Sequence, residues 1–84
     1  MIEVGSVVYS NCGHDNGRAY IVLKLDGDFA YVADGKSRPI SNPKKKRVKH
    51  LKDTFFKYKD SSKVDNLYDF EIATYLKNLD ILHK

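Results

Sequence analysis

This 84-residue chain has one cysteine and no long apolar run, and each scarcity excludes something. A lone thiol, Cys12, closes no intramolecular disulfide, so the fold is expected to rest on an apolar core in a reducing compartment. Nothing approaches the roughly 18 consecutive apolar residues of a membrane span, and the opening "MIEVGSVVYS" lacks a basic segment followed by an apolar signal core. A soluble, cytoplasmic protein without membrane association is the expectation. Chemistry-bearing clusters are equally scarce. Cys12-x-His14, with His50 and His83 far away, has no zinc-ligand spacing, and no Ser-His-Asp grouping or phosphate-cradling loop is visible. Neither an enzyme, nor a metal or cofactor, nor a small-molecule substrate is expected.

What remains is a chain of single-domain length with 42% hydrophobic residues, six tyrosines and four phenylalanines, enough for a folded core. Its net charge of +4 is unevenly spread. Residues 44–59 carry eight Lys or Arg against Asp53, whereas the segments on either side are each slightly acidic. Such asymmetry points to an anionic partner, phosphate being the usual one.

Apolar residues alternate in "RAYIVLKL", with Ala19, Ile21, Leu23 and Leu25 on one face and Arg18, Tyr20, Val22 and Lys24 on the other, the pattern of a half-buried strand. "VGSVVYS" before it and "DFAYVAD" after it have strand composition. Asn16-Gly17, Asp26-Gly27 and Asp34-Gly35 are dipeptides suited to tight turns, so the sheet is expected to be an antiparallel meander. "KSRPIS" is expected as a fourth strand, at an edge because Pro39 lacks a ladder donor, and "KRVKHL" as a fifth with Val48 and His50 on one face.

The C-terminal part changes period. Tyr68, Ile72, Tyr75, Leu76 and Leu79 form one stripe at helical spacing, predicting a helix over 67–80, with Asp65 or Asn66 as N-cap and Asp69 in the first turn. The fold class expected is mainly β: a five-stranded, SH3-like antiparallel barrel over 1–54, a connector over 55–66, and a helix packed on an open end of the barrel.

"VGSVVYSNCGHDNGRAYIVLKL" resembles a KOW motif: an apolar residue and glycine entering a strand, a Gly-x-Asp-x-Gly loop, then an apolar strand. "VADGKSRPISNPKKKRVKHL" is similar to small bacterial KOW-domain RNA-binding proteins, and "KHLKDT" is similar to KOW-bearing large-subunit ribosomal proteins of archaea and eukaryotes. The resemblance covers residues 4 to 54 and implies an SH3-like barrel that binds RNA, in or near the ribosome, without catalysis.

The residues themselves offer two places for such a contact. In the KOW loop, Gly13, His14, Asp15, Asn16 and Gly17 either build a turn or meet the ligand; Asn11, His14 and Asn16 stand where the family is usually basic. Weight therefore shifts to Lys44, Lys45, Lys46, Arg47 and Lys49, read as a short loop and strand entry, with Arg18, Lys36 and Arg38 as further phosphate contacts. Among the aromatics, Tyr20 is the expected exposed stacking residue because it shares a strand face with Arg18 and Lys24, while Phe55 and Phe56 are expected to cover the barrel's end and Tyr68 and Tyr75 to pack. The expected partner is structured or ribosomal RNA, held chiefly by charge. The alternative is an SH3-like module docking a peptide or an acidic protein surface. A membrane-surface role would need a basic amphipathic helix, and here the helix is the acidic part.

Overall fold

The computed structural model of the 84-residue chain describes residues 1–11, 13, 17–58 and 67–79. It is mainly β. Five strands, β1 (Ser6–Ser10), β2 (Ala19–Asp26), β3 (Phe29–Ala33), β4 (Lys44–Arg47) and β5 (Leu51–Lys57), form one antiparallel sheet in the order β4-β3-β2-β1-β5. A 3-10 turn (Val48–His50) joins β4 to β5, and helix α1 (Asp69–Lys77) follows. No helix among the described residues is long and apolar enough to cross a membrane.

The strand number matches the expectation, but the last two strands lie elsewhere. "KSRPIS" forms turns rather than a strand, because Asp34 organises it: its carboxylate accepts the N–H groups of Lys36 (2.8 Å) and Arg38 (2.9 Å), folding the segment back on itself. The cationic run is itself strand β4, and the segment expected as the fifth strand contains the 3-10 turn. Strand β5 then continues to Lys57, past the expected boundary at 54.

Both faces of the sheet are apolar. Val8, Tyr20, Val22, Ala30, Val32 and Leu51 form one buried cluster, against which Ile2 and Val48 pack. Val7, Ile21 and Ala33 meet Leu67, Ile72 and Leu76 on the other face. Helix α1 therefore covers the sheet's outer face and not an open end. Its stripe is shorter than expected: Ile72 and Leu76 are buried, Tyr75 is half-buried, and Tyr68 is exposed at the N-cap. There the Glu71 carboxylate accepts the Tyr68 N–H at 3.1 Å, a cap that the choice of Asp65 or Asn66, both outside the described residues, did not anticipate. Asp69 in the first turn also ties the helix to the loop before β4, accepting the Ile40 N–H at 2.7 Å.

The inner face is curled. In a flat sheet β4 and β1 would be three strand spacings apart, roughly 14 Å. Yet the Lys46 ammonium of β4 donates to the Ser10 hydroxyl of β1 at 2.9 Å, so the sheet bends around its inner cluster. The 3-10 turn holds that bend: the Val48 N–H donates to the Asp28 carbonyl (2.8 Å), and Asn11 donates to the His50 carbonyl (3.1 Å).

Two bulges break the strand periodicity. In β2, Val22 opposes Val32 and Lys24 opposes Tyr31, which makes Leu23 an extra residue. Leu25 is thereby transferred to the face of Ala30 and Lys24 to the face of Tyr31, so the simple alternation fails beyond Val22. In β5, Ser6 pairs with Lys57 while Val8 pairs with Asp53, so the ladder is irregular around Phe55 and Phe56. Phe55 has φ +67°, and its N–H is held by the Asp53 carboxylate at 2.8 Å.

Candidate functional site

The register of β3 with β4 divides the cationic run. Lys46 opposes Ala30 and Lys44 opposes Val32, so both lie on the inner face and are half-buried. Lys45 opposes Tyr31 and Arg47 opposes Phe29 on the outer face, where both cations are exposed. A run of like residues in a strand distributes alternately, and only half of the run is presented to a partner.

On the outer face the cations sit on aromatic rings. The Lys45 ammonium lies 4.4 Å from the Phe29 centroid and 5.9 Å from that of Tyr31, and the Arg47 guanidinium carbon lies 4.9 Å from the Phe29 centroid. The bulge in β2 brings in a third cation, with the Lys24 ammonium 5.8 Å from the Tyr31 centroid. Each such contact contributes on the order of 0.5–1 kcal/mol at an exposed site and orients the side chain more than it immobilises it. Among the described residues no carboxylate pairs with Lys24, Lys45 or Arg47. Asp26, opposite Phe29, is the one acidic residue whose register places it in this row. The result is a cation-rich face with an aromatic floor, beside the half of the sheet that helix α1 covers.

Tyr20 does not belong to it. Its ring is 1% exposed within the inner cluster, and the bulge that redirects Lys24 separates the two residues expected to share a face. Phe29, Tyr31 and Lys24 take its place. Sequence reading misses this because a one-residue bulge leaves no mark in an apolar strand, although Phe29 and Tyr31 alternate correctly with Ala30 and Val32.

The remaining expected contacts form a second group. Arg18 donates to the Ser37 hydroxyl at 3.2 Å, which brings it to the turn carrying Lys36 and Arg38. Lys36 is exposed and Arg38 half-buried, and this group lies near Gly17 and the C-terminal end of α1, away from the Lys45 face. Of the residues expected to form a KOW loop, Gly13 (φ +80°) and Gly17 (φ +87°) both adopt the left-handed conformation that favours glycine. His14, Asp15 and Asn16 lie outside the described residues.

Lys49 is exposed on the 3-10 turn, at the rim of a groove of about 560 Å³. Ile2, Leu25 and Val48 give this groove an apolar lining, and Arg47 and Asp28 complete its edge. It opens where the inner cluster ends. Phe55 and Phe56 do not cover it: they lie beside Met1, Glu3 and Lys57, and Phe55 is 85% exposed. Tyr68 and Phe70 are likewise exposed and stack on each other with centroids 5.8 Å apart.

A hydrogen bond from Lys57, reinforced by its charge, holds the Glu3 carboxyl below the usual range. Burial, with a smaller contribution from Tyr58, pushes the Tyr75 phenol up; its hydroxyl donates to the Lys57 carbonyl at 3.2 Å. Both groups lie away from the cationic face. Among the described residues no cluster of His, Cys, Asp and Glu is arranged to hold a metal ion.

No protein-family model matches this chain, and no curated protein matches it.

Proposed function

We propose that this chain is a non-catalytic RNA-binding module that docks on phosphates through Lys24, Lys45 and Arg47. The observation that carries the reading is the outer face itself: three cations without ion-pair partners among the described residues, spread over two aromatic rings. Phosphate contacts position a nucleic acid without reading its sequence, so modest sequence specificity follows. The curled sheet, in which β5 pairs with β1, is compatible with a small SH3-like barrel; a KOW-type module working in the cytoplasm near the ribosome is part of the proposal. Lys49 adds a cation at the rim of the neighbouring groove, and Arg18, Lys36 and Arg38 form a separate basic group.

The test uses charge reversal guided by the register. Lys45→Glu with Arg47→Glu is expected to weaken retention of a structured ribosomal RNA fragment about 10-fold or more in a filter-binding titration, while thermal melts stay cooperative and lose only the ring contacts, about 1–2 kcal/mol. Retention equal to the parent protein's would refute the reading.

A docking site for an acidic peptide is the second reading, favoured by the apolar groove with Arg47 and Lys49 at its rim. The exposed Phe55, Phe56, Tyr68 and Phe70 add apolar surface for a protein partner. Pull-downs with and without ribonuclease separate the two readings, since partners that vanish with nuclease were bridged by RNA.

A further inference from the structure

Resting on the RNA-binding reading, we infer that the outer face selects unpaired nucleotides, with bases stacking on Phe29 and Tyr31 while Lys24, Lys45 and Arg47 hold the adjoining phosphates. Charge alone would require no aromatic floor. Here every cation of the row lies over a ring, and both rings come from one strand, two residues apart.

That spacing restricts the ligand. Residues two apart on a strand are separated by roughly 7 Å, about twice the ~3.4 Å rise of stacked bases. Two bases on these two rings cannot also stack on each other, so the bound strand is extended and its bases are splayed. A duplex keeps its base faces stacked inward and presents phosphate, sugar and base edges, none of which stacks on a ring.

The cations now over the rings do not block this arrangement. An exposed cation–ring contact is worth about 2- to 5-fold in an equilibrium, whereas a base stacked on an aromatic ring is worth about 5- to 150-fold. A Lys45 ammonium displaced from Phe29 gains a phosphate in exchange. Arg47 has a further option, because its planar guanidinium can keep one face on Phe29 and offer the other to a base.

The experiment compares the full chain with its Phe29→Leu and Tyr31→Leu variants, which keep apolar side chains on β3. Each is titrated against a 12-nucleotide single-stranded RNA and a blunt duplex of the same sequence, at several salt concentrations. Tighter binding of the single strand, a 5- to 30-fold loss in the leucine variants and an unchanged salt slope are expected. Equal or tighter duplex binding, or leucine variants that bind the single strand like the parent, overturns the inference while leaving charge-mediated RNA binding in place. Failure of the parent to retain either RNA removes the RNA-binding reading and this inference together. Should a variant unfold, ultraviolet crosslinking of the parent complex decides: crosslinked peptides containing Phe29 or Tyr31 support stacking, and crosslinks confined to other segments exclude it.

Discussion

At Gly35 a single added methyl group would meet the backbone of another element. A Cβ there collides with the Asp69 carbonyl and comes within 2.9 Å of the Ala73 nitrogen, so this loop touches α1 directly. Gly27 also has positive φ (+59°), but nothing lies within 4 Å of its added Cβ. Gly27→Ala therefore incurs only the left-handed strain of about 1–2 kcal/mol. Gly35→Ala is expected to lose a further 1–3 kcal/mol or so from overpacking, a difference that urea unfolding of the two variants measures. Phe55 presents the converse case, a bulky residue at φ +67° with its ring 85% exposed. Phe55→Gly should be about 1 kcal/mol more stable than Phe55→Ala, because only glycine occupies that region without penalty. Equal stability would mean that the bulge relaxes. At Asp34-Gly35 the chain does turn, but into a long loop before β4 and not the tight hairpin expected from the dipeptide. That its glycine also admits a helix was not legible, because the contact joins residues 34 positions apart.

Among the elements, β4 carries a split that its composition conceals. Lys45→Glu acts on an exposed position and should lose only its ring contacts, about 0.5–1 kcal/mol. Lys46→Glu removes the bond to Ser10 and places an acid against the inner cluster, so a loss of about 1–3 kcal/mol is expected. Thermal melts of the two variants provide the check. In α1, the Tyr75 phenol titrates above its ordinary value of 10, chiefly through burial. The folded state then binds this proton more tightly than the unfolded chain. Its contribution is full below pH 10 and is lost as the pH rises from 10 through the raised value. Tyr75→Phe should abolish that part of the alkaline destabilisation and, by losing the bond to Lys57, cost roughly 0.5–1.5 kcal/mol at neutral pH. The helix itself was readable from the spacing of Tyr68, Ile72, Tyr75, Leu76 and Leu79, although Tyr68 is exposed at its start and Leu79 lies past its end. Its docking on the sheet was not, because the strands' inner face was equally apolar.

At the scale of the whole molecule, the cationic face and the proposed RNA partner imply a definite response to salt. Three phosphate contacts to a single strand give a log–log slope of about −2, so affinity should fall roughly 20-fold between about 50 and 200 mM salt. The Lys45→Glu, Arg47→Glu variant should flatten that slope by about 1.4. A slope near zero in the parent would mean that phosphates are not the principal contact. The fold that presents this face was partly foreseen: a mainly β chain with an antiparallel meander and a C-terminal helix follows from alternation, turn dipeptides and one helical stripe.

That the charge is concentrated in residues 44–59 and that strand composition fills the first 34 residues can be read along the chain, because composition and period are local properties. Which cations face outward depends on how the strands pair. The β3–β4 register turned Lys44 and Lys46 inward, and the bulge at Leu23 moved Lys24 onto the face of Tyr31 while Tyr20 stayed in the core. A one-residue shift in a strand exchanges its two faces, and that shift is fixed by how neighbouring strands pair and pack rather than by the residues along the strand.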